Sequence, residues 1–333
     1  YGTIPQYLRD GMHYITNFTV PTAWRRQYCG VFWAEYDGVT FYFIDNEYYF
    51  KRSGLYGFYD DAERFSFFSR AILGMLPYID FHPDLIHTND WQTALVPTYY
   101  YFFYSKNPWY HNIKSLYTIH NIQYQGMYGW EVNTECVGIP EDCTKMLEMD
   151  GKLNMSKGAI ETSTRVSTVS PSYAKEILDP WFSCGLDQIL KHRAYKLCGI
   201  LNGIDNDSYN PATDFHMYAN YTPEYPQGKE ECKRRLQERL CLAQRGDIPL
   251  IAMVTRLVSH KGLDLVRGGI EHILDNNDVQ FVVLGSGDKE YEDYFWYLQN
   301  KYPGRVCFCH GYVPELARKI YAGSDIFLMP SKS

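Results

Sequence analysis

Arg256 and Lys261 lie on either side of four residues in the stretch Val254-Thr-Arg-Leu-Val-Ser-His-Lys-Gly-Leu-Asp-Leu-Val266. They follow the apolar run Leu250-Ile-Ala-Met-Val254 and precede a helical pattern that begins near Gly262. At a strand-to-helix turn of this kind, the carboxyl end of a parallel strand and the free N–H groups of the next helix together favour an anion. Arg256 as a planar fork and Lys261 as a point charge suit a phosphate or diphosphate. Taken alone, an Arg-x4-Lys pair is more often two solvated surface cations, so the neighbouring strand ends have to decide.

Two further features follow strands in the same half of the chain. Gly285-Ser-Gly287-Asp288 offers a backbone that phosphate or ribose can approach, and Tyr312, after His310-Gly311, offers a ring for a base. Each has a plainer reading: a tight turn for the glycines and half-buried packing for Tyr312. A dinucleotide-binding turn would read G-x-G-x-x-G with an acid about twenty residues on, and Gly285-Ser-Gly-Asp-Lys-Glu290 lacks the third glycine. In the first half, His87, Asp90, His120, Asn121 and Ser170 each stand at or just after the end of a short apolar segment. Asp205-Asn-Asp207 invites a metal, but a D-x-D of this kind is expected by chance and reads better as a capped turn. Neither zinc-ligand spacing nor a G-x-S-x-G nucleophile motif is present.

The elements that would position these residues follow from periodicity. Gly30-Val-Phe-Trp33 and Val39-Thr-Phe-Tyr-Phe-Ile-Asp45 read as strands joined by a hairpin at Asp37-Gly38. Apolar positions recur at helical spacing from Ala62 to Met75, with a stop near Pro77. Leu85-Ile-His87 reads as a short strand, Asp90 as the cap of a helix starting at Trp91, and Pro97 as a kink or the end of that helix's first segment. Lys114–His120 and Thr164–Ser170 repeat the strand scheme, the latter with Ser170 as cap and Pro171 at the first helical position of a helix closing at Asp179-Pro180. After a break near Leu197-Cys-Gly-Ile-Leu-Asn-Gly-Ile-Asp205, and a basic helix from Lys229 to Arg239, four strands alternate with three helices: 250–254, 279–284, 305–309 and 325–329 against 263–274, 290–302 and 314–322. This is an α/β chain with two parallel sheets, divided into residues 1–198 and 199–333. The final strand, Asp325-Ile-Phe-Leu-Met329, reads as buried yet has no helix after it to cover the sheet, so the sequence reads as truncated there.

Composition narrows the function classes. A formal net charge of -7 and a pI near 5.8 speak against a nucleic-acid partner, so any anion site is local. The chain is 45% hydrophobic with no apolar run of membrane-spanning length. Nine scattered cysteines without a CxxC pair suit a reducing, cytoplasmic compartment, and because the chain begins at Tyr1 a plastid is also open. The 31 Tyr, 18 Phe and 7 Trp are more than usual. Such rings stack on sugars and bases but also fill cores, and the run Tyr99-Tyr-Tyr-Phe-Phe-Tyr104 on a helix reads as packing.

With both halves read, the chain resembles the bacterial glycogen synthases and plant starch synthases, retaining glucosyltransferases of the GT-B type. The resemblance is carried in order by His87-Thr-Asn-Asp-Trp91, Thr118-Ile-His-Asn-Ile-Gln-Tyr-Gln-Gly126, Val169-Ser-Pro-Ser-Tyr-Ala-Lys-Glu-Ile177, Leu201-Asn-Gly-Ile-Asp205, Thr255-Arg-Leu-Val-Ser-His-Lys-Gly-Leu-Asp264 and Leu284-Gly-Ser-Gly-Asp288. It implies two Rossmann-like domains facing a cleft, with the nucleotide on the second and an α-1,4-glucan acceptor mainly on the first. It also implies transfer from ADP-glucose to the non-reducing end with retention, and no metal or other cofactor. At matching positions, Arg256 and Lys261 would neutralise the departing diphosphate and Tyr312 would stack on adenine. Asp90, His120 and Asn202 would surround the glucose, with Asn121, Gly285 and Gly287 among the substrate-binding residues. Nothing before Tyr1 matches the family's Lys-Thr-Gly-Gly-Leu loop, and its Glu-Pro-Cys-Gly-Leu segment would lie after Ser333. On this reading both domains are incomplete and the fragment alone is inactive. The other readings are a non-catalytic carbohydrate- or nucleotide-binding module and a GT-B transferase using UDP-glucose.

Overall fold

The computed structural model describes residues 4–332 and opens on an antiparallel sheet. After a short helix α1 (Gln6–Asp10), strands β1 (His13–Thr22), β2 (Arg25–Tyr36) and β3 (Val39–Asp45) form an antiparallel sheet in that order. The hairpin lies where Asp37-Gly38 predicts it, and both residues take left-handed φ (52° and 71°), as a two-residue primed turn demands. Val20, Cys29 and Val31 on the inner face pack with Tyr49 of α2 (Glu47–Phe50) and with Phe67, Ala71 and Met75 of α3 (Asp61–Met75). A single turn, Leu76–Tyr78, ends α3 at Pro77 as expected.

A parallel sheet follows. Strand β4 (Leu85–Asn89) leads through the turn Trp91–Thr93 into α4 (Leu95–Tyr99), and β5 (Lys114–Ile119) comes next. The short strands β6 (Met127–Tyr128), β7 (Glu148–Met149) and β8 (Lys152–Asn154) form a separate antiparallel patch, ordered β6-β8-β7. Then come α5 (Met155–Thr162), β9 (Arg165–Thr168), α6 (Pro171–Glu176), α7 (Asp187–His192) and β10 (Leu197–Gly199). The order is β10-β9-β5-β4, all parallel, so the polar residues after each strand share one edge. Leu95, Val96, Tyr117, Ile119, Ile160 and Val166 belong to the core beneath it.

Several local expectations need correction. Asp90 makes no side-chain cap to the turn that follows it; its carboxylate is engaged across the sheet instead. Pro97 falls within the first turn of α4, where a missing N–H costs little, and the helical run continues past it through the π-turn Tyr100–Tyr104 rather than ending there. Ser170 does cap α6, accepting from Tyr173 N at 2.9 Å with Pro171 at the first position, but the helix ends at Glu176, short of Asp179-Pro180. In the aromatic run, Tyr99 is fully buried and donates to the Val137 carbonyl at 2.9 Å, whereas Tyr101 and Phe103 are exposed on a turn of π-helix. Packing thus accounts for only part of that run.

The chain divides into two compact units, the first ending at Asn202 and the second beginning at Gly203. This lies later than the division expected at 198/199, because β10 pairs with β9 through Gly199 and so keeps that stretch with the first sheet. The second unit contains α8 (Gln227–Arg239), β11 (Leu250–Val254), α9 (Leu263–Asn276), β12 (Gln280–Gly285), α10 (Lys289–Lys301), β13 (Val306–His310), α11 (Pro314–Gly323) and β14 (Ile326–Phe327). Its parallel sheet has the order β13-β12-β11-β14. β12 is buried along its whole length, which is why its sequence is a continuous apolar run after Gln280. β14 is the exception to the expected burial. Ile326 and Phe327 are exposed, because this two-residue strand pairs only with Ile251 and Ala252 at the margin of the sheet. Among the described residues, no helix is long and apolar enough to cross a membrane.

Candidate functional site

At the carboxyl edge of the first sheet, Asp90 occupies a strained backbone position (φ 55°, ψ -177°) outside the comfortable range of a side-chain-bearing residue. The strain places its Oδ1 where His120 N donates at 2.8 Å and Asn121 N at 3.4 Å. Asp90 N donates in turn to the Thr118 carbonyl at 2.9 Å, so the ends of β4 and β5 are tied from both directions. The exposed His120 ring contacts Asn89 Oδ1 through Nε2 at 2.9 Å, and Asn121 Oδ1 accepts from Gln123 N. Asp90, His120 and Asn121 are therefore assembled as one cluster, with Asn89 as a member that sequence reasoning missed. An Asn that closes a short strand carries no local signal of that role.

Beneath this cluster, a chain of polar groups crosses three strands. His87 Nε2 lies 2.7 Å from Thr118 Oγ1, which lies 2.7 Å from Ser167 Oγ. Thr118 and Ser167 are buried, so the chain satisfies groups that would otherwise be costly there. His87 thus serves the sheet, while Ser170 serves the cap of α6. Asn202 is exposed as the last residue of the first unit, with no polar partner among the described residues.

In the second unit, Arg256 is exposed and Lys261 half-buried, and neither side chain has a hydrogen-bond or ion-pair partner among the described residues. Nearby cations are matched: Arg267 with Glu290 and Lys332 with Asp264. The amino end of the fourteen-residue α9 follows Lys261 directly and adds its own positive potential. Burial, and then the charges of Lys261 and Arg256, hold the His260 imidazole below its usual range, so the turn presents two fixed cations beside a ring disposed to stay neutral.

The glycines are used first by the protein itself. A Cβ on Gly285 would overlap the Thr255 carbonyl, and one on Gly287 would overlap the Leu257 carbonyl. This closeness allows Leu257 N to donate to Ser286 O at 2.9 Å and Asp288 N to Leu257 O at 2.7 Å. Gly311 N, after β13, donates to Gly285 O at 2.9 Å, so the loops after β11, β12 and β13 are stitched together. Glu292 of α10 accepts from Gly287 N at 2.9 Å and contacts His310 Nε2 at 3.0 Å. The hydrogen bond from Gly287 is the main cause of its lowered pKa, against burial and with help from His310. Glu292 is thus a second residue that the sequence did not reveal.

Tyr312 is 71% exposed, which removes the packing alternative. Its ring borders a groove of about 430 Å³ with Asp205, Tyr209, Arg318 and Tyr321. The Arg318 guanidinium lies 4.4 Å from the Tyr209 ring centroid and bonds Asp214 Oδ2 and Ser208 Oγ, each at 2.7 Å. Asp205 Oδ1 accepts from the N–H groups of Asp207 (3.1 Å) and Ser208 (2.8 Å), so this carboxylate is used in a turn, as the sequence suggested.

Comparison with known proteins finds similarity in both halves of the chain. Residues 1–192 match the family described as "Starch synthase catalytic domain", and residues 248–333 match "Glycosyl transferases group 1". A glycogen synthase of Desulforamulus reducens is 48% identical over 333 residues, covering 99% of this chain and 69% of that protein. One from Bacillus cereus strain B4264 is also 48% identical, covering 99% and 70%. Among solved structures, the catalytic domain of Starch Synthase IV from Arabidopsis thaliana, bound to ADP and acarbose, matches with a TM-score of 0.87 and 33% identity, covering 96% of this chain and 67% of that one. The parallel-sheet α/β architecture is the GT-B type that the motifs imply, and the chain belongs to the glycogen and starch synthase family of glycosyltransferases.

Proposed function

We propose that the chain transfers glucose from ADP-glucose to the non-reducing end of an α-1,4-glucan with retention of configuration. The observation that carries this reading is the pair of unmatched cations, Arg256 and Lys261, at the carboxyl end of β11 and the amino end of α9. Breaking the sugar–phosphate bond leaves negative charge on the diphosphate, and fixed cations aimed at that charge lower the barrier without rearranging. In this reading the two side chains neutralise the leaving group without a metal, and the stitched glycine loops supply a rigid floor. Tyr312 stacks on the base, as its exposure beside an aromatic groove supports. On the acceptor side, Asp90, His120 and Asn121 form a polar cluster able to hold sugar hydroxyls, with Asn202 a further glucose contact. The nine unpaired cysteines support a reducing, cytoplasmic setting.

Calorimetric titration with ADP tests the donor half. Arg256→Ala and Lys261→Ala should each weaken binding by roughly tenfold or more, the scale of one lost charge-assisted contact. If both variants bind ADP as tightly as the unaltered chain, the assignment fails. UDP in the same titration should bind more weakly, and incorporation of labelled glucose into glycogen from ADP-glucose is the corresponding activity readout.

A further inference from the structure

The last strand before Tyr312 carries two cysteines with no part in the site described above. Cys307 and Cys309 occupy alternate positions of β13, so both side chains point to the face that packs on Leu236, Leu316 and Ile320. Their sulfurs are 3.8 Å apart, in van der Waals contact, and both residues are partly exposed. Among the described residues β13 pairs with β12 alone, so one margin of the strand is open. We propose that Cys307 and Cys309 form a redox-active dithiol, which low-molecular-weight disulfides oxidise to an intrachain bridge that weakens nucleotide binding at the Tyr312 loop. The coupling to binding rests on the nucleotide reading given above.

The chemistry balances with one such disulfide per event. The Cys309 thiolate attacks one sulfur of the small disulfide and releases its first thiol. Cys307 then attacks the Cys309 sulfur, its proton passes to the departing thiolate, and the second thiol leaves. Two cysteine thiols are oxidised and one disulfide is reduced to two thiols. The two thiols share one contact in which either can donate, and the nearby Arg239 charge favours the thiolate at Cys309, which suits it to attack first.

Strand geometry supplies the coupling. Alternate residues of an extended strand are about 6.6 Å apart, whereas a bridged pair prefers about 5.5–6 Å between Cα atoms. Reaching that preferred spacing draws the two Cα atoms together by about 0.6–1.1 Å, which puckers β13 and favours reduction of the bridge. The distortion falls immediately before Gly311, whose N–H holds Gly285 O, and before Tyr312 itself.

The test is incubation of the whole chain with oxidised or reduced glutathione, followed by intact mass, peptide mapping and ADP titration. Expected is a reversible loss of two hydrogens mapping to Cys307 and Cys309, with ADP affinity lowered roughly tenfold, the scale of one disturbed base–aromatic stack. Cys307→Ser should abolish both changes and keep the affinity of the reduced chain, while Cys241→Ser should leave both intact. Absence of a 307–309 bridge overturns the site. A bridged chain that binds ADP as tightly as the reduced one overturns the coupling. A reduced chain that fails to bind ADP overturns the nucleotide reading instead, so the failures are distinguishable.

Discussion

Substituting Asp90 separates two contributions that this residue combines. Its carboxylate accepts the N–H groups of His120 and Asn121, and a hydrogen bond to a charged acceptor contributes about 1.5–3 kcal/mol. Its backbone, at φ 55° and ψ -177°, costs about 1–3 kcal/mol in a residue with a side chain and far less in glycine. Asp90→Ala loses the acceptor and keeps the strain, so it should destabilise the first unit by about 2 kcal/mol. Asp90→Gly loses the same acceptor but relieves the strain, less about 0.5–1 kcal/mol for the extra freedom of its unfolded chain. The glycine variant should therefore be the more stable by about 1 kcal/mol, reversing the usual order of the two residues. Asp90→Asn keeps an acceptor oxygen and bears the same backbone cost as Asp90, so it should lie closest to the unaltered protein in stability while lacking the charge. Urea unfolding followed by fluorescence reads the differences, since 2 kcal/mol moves a midpoint by about 1 M at a slope near 2 kcal/mol/M. An alanine variant at least as stable as the glycine variant would refute the strain argument.

Two further substitutions probe the second unit. Gly287→Ala should cost about 3 kcal/mol, because the new Cβ overlaps the Leu257 carbonyl and breaks two backbone hydrogen bonds worth about 1 kcal/mol each, with overpacking adding a similar amount. A urea midpoint unchanged from the unaltered protein would show that the loops part without cost. Arg318→Ala should destabilise by about 3 kcal/mol, since it leaves the buried Asp214 carboxylate without its cation. Burial works to raise the Asp214 pKa, and the hydrogen bond from Arg318 overrides it to a value below the ordinary one near 4. The folded state thus binds this proton less readily than the unfolded chain. The stabilisation is present above pH 4 and lost as pH falls through the folded value, so the variant should lose less stability on acidification. Parallel acid profiles for the two proteins would contradict this.

Much of the second unit was legible because buried parallel strands announce themselves: Leu250–Val254 and Phe281–Leu284 are apolar without interruption, and Gly262 and Pro314 mark helix starts. The short β14 misled for the same reason, since an apolar run records the burial its residues suit and this one is exposed. In the first unit, Thr118-Ile-His120 and Val166-Ser-Thr168 placed their strands, but the patch formed by β6, β7 and β8 was missed because two- and three-residue strands are too short to show a period. At the site, single-residue chemistry was readable and pairing was not. The sequence marks Asp90 as important yet suggests a local cap, because capping is visible in sequence whereas a bond to His120 N, thirty positions away, depends on strand order. Asn89 and Glu292 were missed for that reason.

The crossing chain from His87 through Thr118 to Ser167 also has a direction. A hydroxyl carries a single proton, so when Thr118 donates to one neighbour and accepts from the other the chain runs with one of two polarities. When Ser167 donates to Thr118, Thr118 donates to His87 Nε2 and the imidazole keeps its proton on Nδ1. When the order reverses, Nε2 carries the proton and Ser167 is left to accept. A doubly protonated ring permits only the second arrangement. The tautomer of an exposed imidazole on β4 is thus coupled through Thr118 to the orientation of a hydroxyl buried two strands away.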